Sequence, residues 1–82
     1  MNEDCIKKYI RVWRDGEFWL EEFDRNLFHL TVTGGRKVYS GGFFHTERKI
    51  CFGVAKSIGV ESTPDIDTEL LQSGKVRPVE PV

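Results

Sequence analysis

The side chains of this 82-residue chain best suited to chemistry are two cysteines, two histidines and the acids Glu17, Glu21 and Glu22. Cys51 with His45 or His29 would pair a thiol nucleophile with an imidazole base. Cys51, however, falls among Ile50, Val54, Ala55 and Ile58, apolar residues at helical spacing, and a thiol in such a stripe is ordinarily inert packing. Cys5, His29, His45 and Cys51 also make up the number of a zinc set. They include no close pair at two-to-four spacing, which structural zinc sites normally have. The three glutamates could serve as general acid and base or hold a metal. Lys8, Arg11 and Arg14 offer a simpler account, cross-strand charge pairing on a solvated face. The glycines at 34, 35, 41 and 42 fit no phosphate-loop pattern and are explained by turns. The chain therefore reads as a non-enzyme, with no metal site and no cofactor.

The element that would position any working surface is the stretch Lys8–Leu20, two alternating strands folded back through Arg14-Asp15-Gly16. Two registers are possible. A two-residue Asp15-Gly16 loop pairs Arg14 with Glu17 and scatters the apolar residues over both faces. A three-residue loop with Gly16 left-handed pairs Trp13 with Glu17 and collects Ile10, Val12, Phe18 and Leu20 on one face. Burial of a single face selects the second register. The outer face then carries Tyr9, Arg11, Trp13, Trp19 and Glu21.

Leu27–Thr33 alternates and predicts a third strand with Phe28, Leu30 and Val32 inward. Gly34-Gly35 would close a second hairpin onto a short fourth strand, 36–40. Thr46 is an N-cap candidate, and Ile50, Cys51, Val54, Ala55 and Ile58 predict a helix to Gly59, packed on the Ile10 face. Thr63-Pro64-Asp65 opens a shorter helix over 64–72 that stops at Gly74. Residues 75–82, with two prolines, read as an extended or disordered end. The expected fold class is α+β: a four-stranded antiparallel sheet of two consecutive hairpins, one main helix on one face, a short second helix and a tail. The organisation is a sheet-plus-helix domain over 1–59 and a tail over 60–82.

Composition narrows function further. An apolar fraction of 39% with 30% charged residues suits a folded chain rather than a disordered one. The sequence shows no apolar run long enough to span a bilayer and no signal-peptide pattern at its start, which gives a cytoplasmic expectation with Cys5 and Cys51 as reduced thiols. Residues 1–57 hold ten basic against eight acidic side chains and residues 58–82 two against five. A protein bound mainly to phosphates would be far more basic.

The surviving candidate is the aromatic outer face. Tyr9, Arg11, Trp13, Trp19 and Glu21 include the residue types that dominate binding hot spots. They predict a partner-binding surface for another protein, with cover by the acidic tail or self-association as the alternatives. A small viral or mobile-element accessory protein, acting as inhibitor or adaptor by occluding a partner's site, fits this description. The alternative is a DNA-binding domain with Arg11, Arg14, Arg36 and Lys37 on phosphates and base edges. On that side, Arg14–Leu20, followed by Gly41-Gly42-Phe43-Phe44-His45-Thr46-Glu47 and a helix with Ala55, resembles the sheet-plus-helix arm-binding domains of tyrosine recombinases. The sequence departs from that pattern by an extra strand, by acids at 17, 21 and 22, and by lacking a recombinase domain.

Overall fold

The computed structural model describes residues 5–79, with backbone only for Leu30 and Thr31. Strands β1 (Ile6–Arg14) and β2 (Glu17–Phe23) form the hairpin, followed by the five-residue helix α1 (His29–Thr33). Then come β3 (Ser40–His45), β4 (Ile50–Phe52), β5 (Val54–Ala55), a 3-10 turn (Lys56–Ile58), β6 (Val60–Glu61), α2 (Pro64–Gln72) and β7 (Val76–Pro78). The main sheet has the order β4-β3-β1-β2-β7, antiparallel except for the parallel β2–β7 pair; β5 and β6 make a small second ladder. The α+β class stands, but the sheet is mixed and five-stranded rather than antiparallel and four-stranded.

The hairpin takes the register that one-sided burial argued against. Arg14 pairs with Glu17 and Val12 with Trp19 across a two-residue turn, with Asp15 at φ 54° and Gly16 at φ 83°. Asp-Gly is the favoured sequence for that doubly left-handed turn, whose twist matches the strands. Scattering apolar residues over both faces carries no penalty because both faces are covered. On one face Tyr9, Leu20, Phe44 and Cys51 pack under Leu71 of α2, with Leu70 and Val76 alongside. On the other, Ile10, Val12 and Phe23 pack under Val32, Val38, Ile58 and Val79. Phe18, expected in the core, is half-buried.

Two further expectations fail. Residues 29–33 are helical rather than a strand, because Gly34 (φ 57°) ends a helix in the left-handed C-cap instead of closing a hairpin. The short helix is held by Thr33 Oγ1 donating to His29 O (2.7 Å), and by Arg36, whose Nη2 donates to Val32 O (3.1 Å). The expected fourth strand over 36–40 is displaced to Ser40–His45, where it pairs with β1. Phe28, placed in the core by the strand reading, is 68% exposed. The expectation for Leu30 lies outside the described side chains.

The predicted helix over 46–58 is a turn followed by β4, β5 and the 3-10 turn. Gly53 decides the matter. At φ 86° it bends the chain away from helix, and a Cβ there would lie 2.8 Å from the Phe43 ring. Gly42 lets this bend close, since its Cβ would lie 2.4 Å from Phe52 O. With the helix gone, the resemblance to the recombinase arm-binding domains loses its helical half.

Helix α2 forms where expected. Pro64 sits at its start, and Gly74 (φ 81°) stops it with Lys75 N donating to Leu70 O and Gly74 N to Leu71 O, a Schellman pair. The chain then passes directly into β7, with Leu20 N donating to Lys75 O at 2.9 Å. Residues 60–79 therefore contribute both a layer and a strand. The expectation for residues 80–82 lies outside the described residues.

Candidate functional site

The aromatic outer face does not assemble as a surface. Tyr9, Glu21 and Arg11 are buried, whereas Trp19 is partly buried and Trp13 is 54% exposed. Register explains the split: Tyr9, Arg11 and Trp13 point to the α2 side, Trp19 and Glu21 to the other. Trp19 is capped by the Lys75 ammonium at 4.9 Å and the Arg77 guanidinium at 5.9 Å.

Under α2 lies a buried polar cluster that no sequence spacing announced. The Asp67 carboxylate is fully buried and accepts from the Tyr9 hydroxyl, Ser40 Oγ (2.9 Å), Thr63 N (2.9 Å) and Thr63 Oγ1 (2.9 Å). Arg11 Nε lies 3.5 Å from Asp67 Oδ1, with the guanidinium over the Phe18 ring at 4.6 Å. Burial, then the hydrogen bond to Asp67 and the Asp67 charge, push the Tyr9 hydroxyl well above its ordinary pKa; burial and the Asp67 charge raise the Cys51 thiol to about 11. A protonated thiol held beside a carboxylate is a poor nucleophile. Cys51 also faces α2, whereas His29 and His45 lie on the opposite side of the sheet, so the thiol and either imidazole are kept apart. His29 is lowered from its ordinary pKa chiefly by burial, and its Nε2 lies 2.9 Å from Gly42 O. The cluster is therefore a device for docking α2.

Glu21 is the second buried carboxylate. Arg36 reaches it at 2.8 and 3.0 Å and Arg14 at 3.6 Å. Glu22 pairs with Lys7 at 3.5 Å and Glu17 with Lys75, so the acids of β2 are matched to cations, of which only Arg14 is among the three expected from the hairpin. Among the described residues no group of three His, Cys, Asp or Glu side chains is placed to hold a metal ion.

Two surface clefts are formed by the described residues, neither of them lined by these carboxylates. One is an apolar cleft of about 420 Å³ lined by Lys8, Phe28, His29, Phe43, Val54, Lys56 and Ser57. Phe52 stacks on Phe43 with centroids 6.0 Å apart, and exposed Ile50 lies on the same side of β4, which extends the apolar area to the sheet edge. The Lys8 ammonium lies 5.6 Å from the Phe28 ring and 6.0 Å from Phe43. The other is a cleft of about 490 Å³ lined by Val12, Trp13, Arg14, Arg36, Lys37 and Tyr39. It brings together Arg14, Arg36 and Lys37 of the residues expected to contact nucleic acid, while Arg11 is buried beneath.

The sheet edges are blunted. On β4, Cys51 N donates to Thr68 Oγ1 (3.0 Å) and Lys49 O accepts from Gln72 Nε2 (3.3 Å). On β7, Pro78 has no N–H to offer. These two edges are poorly suited to binding by strand addition.

Fold and site together define a small α+β protein with surface clefts and a buried structural carboxylate. Comparison with family models, curated proteins and solved structures finds no match for this chain. No helix among the described residues is long and apolar enough to cross a membrane.

Proposed function

We propose that this chain is a non-enzymatic protein-binding module, acting as an inhibitor or adaptor by occluding a partner's site in the manner of small viral or mobile-element accessory proteins. The observation that carries the reading is the exposed apolar area formed by Phe28, Phe52, Val54 and Ile50 around the 420 Å³ cleft. Its composition matches an interface core, aromatic and aliphatic at the centre with Lys8 and Lys56 at the rim. The rim is cationic and the cleft lining contains no acid, so the complementary surface carries acidic residues around an apolar knob.

Phe28→Asp tests the reading. Phe28 is largely solvent-exposed, so the substitution leaves stability nearly unchanged while placing a charge at the centre of the interface. Affinity capture with the unsubstituted protein and with the variant, each shown folded by circular dichroism, compares what is retained. A partner held by the first and lost by the second is expected. Equal retention by both overturns the assignment of this surface.

A further inference from the structure

We infer that the second cleft, between the end of β1 and residues 36–39, is a binding site for a single nucleotide unit, with its base on Trp13 and its phosphate on Lys37 and the neighbouring guanidinium groups. The site is independent of the apolar cleft, which lies near Lys8, five residues back along β1 and so roughly 17 Å away at about 3.3 Å per residue.

The cleft exists because β1 outruns its neighbour. The last β1–β3 pair is Arg11 with Ser40, so residues 12–14 continue with no strand on that side. Residues 36–39 line the opposite wall, tied in by Tyr39 N donating to Arg11 O at 2.9 Å. In an antiparallel ladder alternate residues turn their backbone groups to the same side, which directs the Trp13 N–H and C=O into the cleft as Arg11 O is directed. One residue's pair of backbone groups is too little for strand addition by a peptide. A single N–H beside cations is, by contrast, a normal setting for a phosphate oxygen.

The walls supply the remaining chemistry. Trp13 is 54% exposed and Tyr39 37%, and both are fixed by edge contacts to Phe18, at 4.8 and 4.9 Å. A ring so braced offers a stacking platform with little ordering cost. Of the three cations, Arg36 and Arg14 are held over Glu21, and Arg14 lies 3.8 Å from Asp15 Oδ2. They are pre-oriented by these ion pairs. Lys37, whose ammonium lies 4.8 Å from the Tyr39 ring, makes no ion pair among the described residues. Lys37 therefore offers its charge to a phosphate, with the two ion-paired guanidinium groups beside it as further donors.

The test uses the full chain with Trp19→Phe, which leaves Trp13 as the sole tryptophan, excited selectively at the red edge of its absorption where tyrosine does not absorb. Its emission is titrated with adenosine 5′-monophosphate, adenosine, inorganic phosphate, a six-residue deoxyadenylate and an oligoglutamate peptide. Saturable quenching by the monophosphate is expected. Adenosine should bind about tenfold more weakly, phosphate alone should not quench, and Lys37→Ala should weaken the monophosphate about tenfold. For the six-residue strand the logarithmic salt slope should be about −0.7, the value for one phosphate contact on a single strand. Tighter binding of the six-residue strand assigns the site to single-stranded nucleic acid, and tighter binding of the monophosphate to a free nucleotide; either supports the shared chemistry. No saturable response to either nucleotide, equal affinity in Lys37→Ala, or equal quenching by oligoglutamate overturns the inference. If Trp19→Phe lowers Tm, the Trp13 indole N–H resonance of the unsubstituted protein gives the same titration.

Discussion

Removing the Asp67 carboxylate is the sharpest test of how this protein holds together. In Asp67→Ala, four donors lose their acceptor: the hydroxyls of Tyr9, Ser40 and Thr63 and the Thr63 amide. The Arg11 guanidinium, almost wholly enclosed, keeps its charge with no counter-ion at 3.5 Å. Breaking a buried pair by deleting one member costs about 3–5 kcal/mol, and a domain of this size has only about 5–15 kcal/mol in total. At about 4–8 °C per kcal/mol the melting temperature should fall by roughly 12–40 °C. Urea unfolding followed by tryptophan fluorescence gives the free energy directly. The double variant Arg11→Met/Asp67→Ala removes both charges and should recover about 1–3 kcal/mol relative to the sum of the single losses. A cost below about 1 kcal/mol for Asp67→Ala, or additivity within about 0.5 kcal/mol, would refute the claim that this pair docks α2 onto the sheet.

Other outcomes follow from the buried groups and the backbone. Because the folded-state pKa of Cys51 is raised to about 11, the native protein binds more protons than the unfolded chain above pH 9, so stability should fall between pH 9 and 11; Cys51→Ala should flatten that decline. At pH 8, a thiol reagent should modify partly exposed Cys5 promptly and buried Cys51 only at the rate of unfolding. His29 shifts the opposite way: its folded-state pKa is lowered, so its contribution is fully present above pH 6.5 and is lost as pH falls from there toward the folded value, and His29→Gln should reduce the loss seen by chemical denaturation. Gly53→Ala forces a side chain into a left-handed position 2.8 Å from Phe43, and a destabilisation of about 1–3 kcal/mol is expected by thermal melt; an unchanged Tm would show that the β4–β5 bend is not fixed.

The legible parts of the fold were those written in local signals. Thr63-Pro64-Asp65 and Gly74 bracket α2 because caps and stops act within a few residues. The strands of the hairpin were equally plain in their alternation. Its register was not, since the choice depended on whether one face or both would be covered, and that is decided by Leu71 and Val32, far along the chain. The 46–58 segment failed for a related reason: Ile50, Cys51, Val54 and Ala55 fit a helical stripe and a pair of strands equally well, and only the φ of Gly53 separates them. Of the five residues expected to bind a protein partner, Trp13 is the one left well exposed. Arg14, Arg36 and Lys37 share a cleft because Arg36 caps α1 and reaches Glu21, a geometry that no spacing in the sequence carries. Asp67, a first-turn acid of α2, is also the buried anchor of that helix, and nothing in its spacing sets it apart from Asp65.

The parallel pairing of β7 with β2 has a consequence for biosynthesis. Leu20 and Val76 are partners 56 positions apart, and Tyr9 and Leu20 find their cover only when α2 arrives. At about 5–20 residues per second, a ribosome needs roughly 3–11 s to travel from Phe23 to Pro78. Throughout that interval the nascent hairpin carries an uncapped apolar face and an open strand edge, the features a holdase chaperone binds, so folding should wait for β7 to emerge and be sensitive to chaperone supply.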